Sequence, residues 1–152
     1  MSRTKSFLVY WLPLLGWMSV IFGASTDLGH PRHSSRFIGP LFHWLFPSWP
    51  PERVDEAVIV VRKFAHGYEY LILCWLAWRL FRSRDRLIPG RWPVSVAWKS
   101  WALATAYAST DEFHQLFVPG REGAVRDVAI DSCGAAFGIG LIYIVGRIRR
   151  KW

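Results

Sequence analysis

The stretch Ala108–Gly138, ASTDEFHQLFVPGREGAVRDVAIDSCGAAFG, combines ionisable side chains with segments that are apolar enough to lie in a lipid bilayer. An ionisable group at the centre of a bilayer costs about 2.5–3.5 kcal/mol on insertion scales. Membrane helices keep such groups where they pair with one another, bind an ion or contact a substrate. The stretch therefore predicts a polar site inside a membrane. Its polar residues include Asp111, Glu112, His114, Gln115, Arg121, Arg126, Asp127 and Asp131.

The composition of the whole chain is also typical of a membrane protein. Of its 152 residues, 52% are hydrophobic, ten are Trp and ten are Phe. Trp and Tyr accumulate at bilayer interfaces, where an apolar ring with one polar atom fits the headgroup level. The net charge of +8 does not indicate nucleic-acid binding, because the basic residues lie at the ends of apolar segments and no nucleic-acid motif is present. Attraction to anionic lipid headgroups explains these residues better.

Four apolar segments are close to the roughly 20 residues that a helix needs to cross the hydrocarbon. They are residues 7–23, 58–80, 94–117 and 125–148. None alternates as barrel strands do, and only helices or closed barrels satisfy their backbone groups in lipid. We therefore predict an all-α fold, with residues 1–152 forming one bundle of four transmembrane helices. The first segment also has features of a secretory signal, but we expect it to be retained.

The predicted outer loop, residues 24–57, contains an apolar stretch that is not typical of a loop. Within Phe37–Trp49, the residues Phe37, Leu41 and Leu45 recur every four positions, which is helical spacing. We predict a short interfacial or re-entrant helix there. This helix either covers the bundle as a lid or forms a platform that admits a lipid tail to the polar site.

The distribution of basic residues predicts that both termini face the cytoplasm. Basic residues are concentrated before the first segment, between the second and third, and after the fourth, and such an excess marks the cytoplasmic side. With this orientation the polar residues of the four segments lie at one depth, in the outer leaflet. Asp131 is roughly 9 Å below the start of its helix and His66 roughly 12 Å below the start of its own. We therefore expect one polar pocket that opens away from the cytosol.

Three of the segments carry their polar side chains on one helical face each. The faces consist of Lys63, His66, Glu69 and Tyr70 in the second segment, Asp111, Glu112, His114 and Gln115 in the third, and Asp127 and Asp131 in the fourth. Residues three, four or seven positions apart lie on the same side of a helix, so each face can point into the bundle. Gly134 and Gly138 continue the last face as a GxxxG pair, which lets a neighbouring helix approach closely.

Three interpretations of these faces remain open. The first is a network of internal ion pairs that locks the helices together. Its pairs would be Lys63 with Glu69 or Asp131, and Arg126 with Glu112. The second is a divalent metal site with His66, His114 and Asp131 as candidate ligands, since imidazole and carboxylate groups bind such cations. The third is an acid–base site that uses His66 or His114 with Glu112 or Asp131, because a buried cluster can transfer protons near neutral pH.

The connection 118–124, VPGREGA, predicts an anion-binding site at the start of the fourth helix. Its two glycines allow unusual backbone angles, and the free amide groups of a helix N-terminus favour a negative charge. Arg121 and Arg126 flank this position, and arginine binds phosphate or carboxylate bidentately. The alternative is a tight hairpin whose arginines mark the membrane surface.

Two motifs resemble the VanZ-like family of small bacterial membrane proteins. They are KFAHGYEYLIL at Lys63–Leu73 and STDEFHQLFVPGREGAVRDVAIDSCGAAFG at Ser109–Gly138. The resemblance implies an integral, multi-pass protein of the bacterial inner membrane, and the founding relative is linked to low-level resistance to teicoplanin. The family pattern is met at Lys63, His66, Glu69, Tyr70, Asp111, Glu112, His114, Gln115, Arg121, Asp127, Asp131 and Gly134. The resemblance implies no particular reaction.

We therefore expect a membrane enzyme or binder that acts on an anionic lipid or a lipid-linked cell-envelope precursor. The expected catalytic residues are His66, Glu69, Asp111, Glu112, His114 and Asp131, and the expected substrate-binding residues are Lys63, Tyr70, Gln115, Arg121, Arg126 and Asp127. The alternatives are a non-enzymatic resistance factor that binds or shields an envelope component, and a small transporter. No nucleic-acid partner is expected. The sequence leaves open the oligomeric state and the cofactor, a divalent metal included.

Overall fold

The computed structural model describes residues 3–26, 31–85, 88–119 and 123–152, apart from the side chains of Arg3 and of residues 31–37. This part of the chain is helical and contains no strand, which confirms the predicted all-α class. The helices are α1 (Arg3–Ser6), α2 (Leu12–Ser25), α3 (Pro31–Leu45), α4 (Pro51–Arg84), α5 (Val94–Gln115) and α6 (Val125–Ile148). A π-helical turn, Phe7–Trp11, joins α1 to α2.

The first predicted segment, 7–23, lies inside the continuous helical stretch formed by α1, the π-helical turn and α2. Pro13 has no backbone N–H, and in a regular α-helix its ring would clash with the carbonyl group one turn earlier. The backbone widens ahead of this proline, and the Leu12 N–H donates to the Phe7 carbonyl, five residues back. The π-helical turn thus keeps the stretch helical across a residue that commonly breaks helices.

The second predicted segment, 58–80, is the central part of a much longer helix. α4 has 34 residues, which corresponds to roughly 51 Å at 1.5 Å per residue, against about 30 Å for the hydrocarbon core of a bilayer. Pro50 is extended at the N-cap, and Pro51 occupies the first turn of the helix. A proline is tolerated there because the N–H groups of the first turn form no hydrogen bond within the helix. The helix starts earlier than predicted because its first turns carry charges, such as Arg53 and Glu56, that lower their hydropathy.

The predicted outer loop, 24–57, contains α3, so a helix is present where the spacing of apolar residues indicates one. α3 packs against α4. At its C-terminal end, Phe42, Phe46 and Trp49 form an aromatic stack, with the ring centroids of Phe46 and Trp49 4.3 Å apart. Whether this helix lies on a membrane surface or enters the bilayer stays a prediction.

α4, α5 and α6 form the centre of the bundle, and α2 packs against α4 and α5. The approach of α6 to α4 is close. A Cβ atom on Gly134 would collide with the carbonyl oxygen of Gly67, and one on Gly138 would lie 3.2 Å from the carbonyl oxygen of Leu71. The GxxxG pair of α6 therefore packs against α4 within the same chain.

The surface of the bundle is more apolar than that of a typical water-soluble protein. Large apolar side chains such as Phe64 and Phe137 are exposed, while the carboxyl group of Asp131 is buried. Extensive exposed apolar surface is unusual for a soluble monomer. Two helical stretches, Thr4–Ser25 and Val125–Ile148, are long and apolar enough to cross a membrane. These features together suggest a membrane protein.

Candidate functional site

Three buried carboxyl groups from two helices meet inside the bundle, and we call them the acidic cluster. Asp111 and Glu112 lie near the end of α5, and Asp131 lies in the second turn of α6. These residues are 3%, 6% and 1% exposed, respectively. The carboxylates of Glu112 and Asp111 act electrostatically on that of Asp131. The fold thus brings together acidic residues from both ends of the stretch Ala108–Gly138.

Hydrogen bonds tie two members of the acidic cluster to three parts of the chain. The Ser25 hydroxyl donates to Asp111 Oδ2 over 2.5 Å, which links the end of α2 to α5. Gln115 Nε2 donates to Asp111 Oδ2 and to Glu112 Oε1, both over 3.2 Å. The backbone N–H of Ala124, the N-cap of α6, donates to Glu112 Oε2 over 3.0 Å. This network holds α2, α5 and the start of α6 in one arrangement.

The start of α6 therefore receives a negative charge from the chain itself. A carboxylate at a helix N-terminus is favourable because it faces free N–H groups and the positive end of the helix dipole. Gly123 makes the approach possible, since a Cβ atom there would collide with the carbonyl oxygen of Glu112. The sequence predicts a site for an external anion in this glycine-rich connection. The connection thus also makes a contact within the chain, between Glu112 and the start of α6.

Other oxygen atoms of the site have no hydrogen-bond partner within the described residues. They are Oδ1 of Asp111, Oδ1 of Asp131 and the hydroxyl of Tyr70, and all three are buried. The Tyr70 hydroxyl interacts electrostatically with both of these carboxylates. A buried polar group without a partner costs about 1–3 kcal/mol, so such groups deserve a functional explanation. These three atoms come from α4, α5 and α6.

Lys63 and Asp127 form an ion pair between α4 and α6. Lys63 Nζ lies 2.6 Å from Asp127 Oδ1, and the two side chains are 35% and 36% exposed. Lys63 therefore pairs with neither Glu69 nor Asp131, the partners proposed in the ion-pair interpretation. Register explains the difference, because Asp127 lies one turn closer than Asp131 to the start of α6. Asp127 also acts electrostatically on Asp131, which connects this pair to the acidic cluster.

The two predicted catalytic histidines lie in different surroundings. His66 Nδ1 is 3.6 Å from Glu69 Oε2 on the same helix, and both side chains are about one quarter exposed. The His114 ring instead packs on Phe22 of α2, with 4.6 Å between the ring centroids. Within the described ranges, no group of three His, Cys, Asp or Glu side chains is arranged to hold a metal ion. The metal candidates His66, His114 and Asp131 are thus not gathered into such a group.

Of the two arginines predicted to bind an anion, only Arg126 lies within the described residues. Arg126 lies in the first turn of α6 with an exposed side chain, outside the acidic cluster. Arg121 lies outside the described residues. Its predicted role therefore stays a prediction.

An apolar groove with a volume of about 610 Å³ runs between α4 and α6. Its lining includes Lys63, Phe64, Gly67, Ile130, Gly134 and Phe137. The absence of side chains at the two glycines opens the groove where the helices cross. Ile130 and Gly134 lie on the same turns of α6 as Asp131, but the lining of the groove contains no member of the acidic cluster. Lys63 gives the groove one cationic group.

The sequence profile of the VanZ/LLP1 family matches residues 8–146. The chain belongs to this family. The matched region contains the acidic cluster, the Lys63–Asp127 pair and the apolar groove. No curated protein and no solved structure matches the chain.

Three residues of this VanZ/LLP1 chain contribute to the site but are not indicated by the sequence analysis. Ser25 donates to the acidic cluster, the Tyr107 hydroxyl donates to the Met18 carbonyl over 2.6 Å, and Trp17 Nε1 donates to the Glu69 carbonyl over 2.9 Å. The position of Tyr107 could have indicated its place in the site, because Tyr107 lies four residues before Asp111 on the same helical face. The position of Ser25 gave little indication of a role in the site, since small residues at the end of an apolar segment also fit the cleavage site of a secretory signal.

Proposed function

We propose that this VanZ/LLP1 protein binds an anionic lipid or a lipid-linked cell-envelope precursor and uses the acidic cluster for acid–base chemistry on it. One observation carries the proposal. Helices α4 and α6 form the apolar groove with its one cation, Lys63, and the same two helices, together with α5, carry the buried oxygen atoms of Tyr70, Asp131 and Asp111, which lack hydrogen-bond partners in the described residues. An amphiphilic ligand needs these two features, an apolar surface for its chain and a few polar groups for its head.

The groove supplies the contacts for the apolar part of the ligand. A hydrocarbon chain lying over Gly67 and Gly134 would contact Phe64 and Phe137, whose rings are largely exposed. The head would lie near Lys63, whose ammonium group attracts phosphate. The ion pair of Lys63 with Asp127 is about one third exposed, and exposed pairs contribute only about 0–1 kcal/mol. A phosphate can therefore compete with Asp127 for this lysine.

The acidic cluster supplies the chemistry. Ser25 and Gln115 hold Oδ2 of Asp111, so the orientation of Oδ1 is fixed before a substrate arrives. Asp131 takes a proton from a substrate hydroxyl group or returns one to a leaving oxygen, which is the role of a positioned carboxyl group in acid–base catalysis. Tyr70 donates a hydrogen bond to the same substrate.

The proposed topology has four membrane-spanning helices with both termini in the cytoplasm of a bacterial cell. α4 and α5 carry more charge than the two apolar stretches, but they pack directly against α2 and α6 and contribute the buried side chains of the site. Charged residues within membrane helices face the interior of a bundle, as Asp111 does. The concentration of basic residues at the ends of α4 and α6 supports the orientation.

A second function, binding without reaction, is favoured by the hydrogen-bond network. Two of the three carboxyl groups in the acidic cluster hold α2, α5 and α6 together. If this structural role is their only role, the protein retains an envelope component and shields it. This version fits the relation of the family to teicoplanin resistance.

The experiment compares the wild type with Asp131→Asn, Lys63→Gln and Asp55→Asn. Asp131→Asn keeps the shape of the side chain and removes its ability to exchange a proton. Asp55→Asn is the matched control, because Asp55 is an exposed carboxylate of α4 that lies fifteen residues before Tyr70, roughly 22 Å along the helix axis. Each protein is purified in mild detergent, and bound lipids are identified by mass spectrometry. Each protein is then incubated with an extract of envelope lipids and the products are compared.

We expect the wild type and Asp55→Asn to retain and convert the same anionic lipid, Lys63→Gln to retain less of it, and Asp131→Asn to retain it unchanged. Conversion by Asp131→Asn at the wild-type rate would exclude the acid–base role of Asp131. Retention of the lipid by the wild type without any conversion would instead favour binding without reaction. A wild-type protein that enriches no anionic lipid over the membrane average would contradict the proposal as a whole.

A further inference from the structure

A second cavity, of about 640 Å³, lies at the C-terminal end of α4, and we call it the basic pocket. It occupies the gap between the N-terminal helical stretch and α6. Both pack against α4, and in the described part of the chain they do not pack against each other. On α4, Arg79 of the basic pocket lies roughly 24 Å beyond Lys63 along the helix axis. The basic pocket is therefore separate from the acidic cluster and its groove.

The charge of the basic pocket is positive. Four cationic side chains line it, namely Arg79, Arg82, Arg149 and Lys151, and no acidic side chain is part of the lining. None of the four forms an ion pair with an acidic side chain in the described residues. Four unpaired cations around one cavity repel one another, so their arrangement favours an anionic ligand.

Aromatic rings hold two of these guanidinium groups in place. The Arg79 guanidinium lies 5.0 Å from the Trp75 ring centroid and 5.9 Å from that of Tyr10, and Arg82 lies 5.3 Å from the Trp152 ring centroid. A cation–π contact uses the face of the guanidinium group and leaves its N–H donors at the edge. These donors match the oxygen atoms of a phosphate in bidentate geometry. The side chains are thus ordered before a ligand binds.

Trp78 and Trp152 line the basic pocket, and Trp92, which is not part of the lining, packs against both. Trp78 stacks on Trp92 at 4.9 Å between ring centroids, and Trp92 contacts Trp152 edge-to-face at 4.8 Å. Trp152 reaches this position because Gly146 has no side chain, since a Cβ atom there would collide with the indole. Tryptophan is favoured at the boundary between apolar chains and polar headgroups.

Part of the lining is apolar and continues onto the exposed surface of α6. Leu141 and Val145 line the basic pocket and are 40% and 47% exposed. The cavity therefore offers cationic donors and an apolar surface. A free anion would use only the first, whereas a phospholipid would use both.

We propose that the basic pocket binds the headgroup phosphate of an anionic phospholipid, with Arg79 and Arg82 on the phosphate and an acyl chain along Leu141 and Val145. Phosphate is the chemistry shared by a lipid headgroup and a free anion. The apolar part of the lining favours the lipid. This site is independent of the reaction proposed for the acidic cluster.

The test measures lipid retention by native mass spectrometry of the full chain in detergent. The additives are phosphatidylglycerol, phosphatidylcholine, which has no net charge, and sodium phosphate. The variants are Arg79→Gln and Arg82→Gln. Arg84→Gln is the matched control, because Arg84 belongs to the same helix and also lies over an indole, 5.2 Å from the Trp11 ring centroid, but does not line the basic pocket.

We expect phosphatidylglycerol to bind the wild type and Arg84→Gln in preference to phosphatidylcholine. Arg79→Gln and Arg82→Gln should each weaken phosphatidylglycerol binding about fivefold, since a basic residue near an anionic lipid contributes about 1 kcal/mol. Equal binding of the two lipids, or equal weakening by Arg84→Gln, would overturn the proposal. Displacement of the lipid by millimolar sodium phosphate would also overturn it, because the ligand would then be a free anion.

Discussion

Replacing Gly134 with alanine should separate α4 from α6. The added Cβ atom would meet the backbone carbonyl of Gly67, which cannot rotate away as a side chain can. Gly140 lies on the same helix, and a Cβ atom there meets nothing within 4 Å. Alanine is preferred over glycine in a helix by about 1 kcal/mol at either position. The helix-propensity gains cancel when the two variants are compared, and the overpacking cost of about 1–3 kcal/mol remains.

Thermal unfolding in detergent, followed by tryptophan fluorescence, measures this difference. For a chain of this size 1 kcal/mol corresponds to a midpoint shift of about 2–4 °C. Gly134→Ala should therefore unfold at least about 2 °C below Gly140→Ala. Gly67→Ala is a second control, since a Cβ atom on Gly67 also meets nothing within 4 Å. Equal midpoints for Gly134→Ala and Gly140→Ala would refute the close contact between the helices.

Two further substitutions test the polar contacts. Ser25→Ala removes the donor to buried Asp111 and should cost about 1.5–3 kcal/mol, the contribution of a hydrogen bond to a charged group. Ser19→Ala is the control on the same helix. The Ser19 hydroxyl is exposed and donates only to a backbone carbonyl, so this substitution should change the unfolding midpoint little. An equal loss of stability in both variants would contradict the buried hydrogen bond of Ser25. Asp127→Asn breaks the partly exposed ion pair with Lys63 and should lower the free energy of unfolding by no more than about 1 kcal/mol. A larger decrease, measured by chemical unfolding, would contradict the partial exposure of this pair.

Local sequence patterns predict the bounds of a helix well where polar or charged residues directly flank an apolar segment. The bounds of α6 coincide with the predicted segment 125–148, because a polar connection precedes it and basic residues follow it. Partner choice is harder to predict. The pairing of Lys63 with Asp127, and of Ser25 with Asp111, depends on how each helix is rotated about its axis and shifted against its neighbours. A single sequence shows which face of a helix is polar but not which residue on another helix it meets.

Packing and chemistry depend on each other at the crossing of α4 and α6. Gly134 lies three residues after Asp131 on the same face of α6, so the contact that brings the helices together also closes over this carboxyl group. Removing water from a carboxyl group strengthens its interactions with the neighbouring carboxylates and with Tyr70. A wider crossing would admit solvent to Asp131 and weaken those interactions. Gly134→Ala should therefore impair the proposed chemistry even in preparations that remain folded, while Gly140→Ala should not.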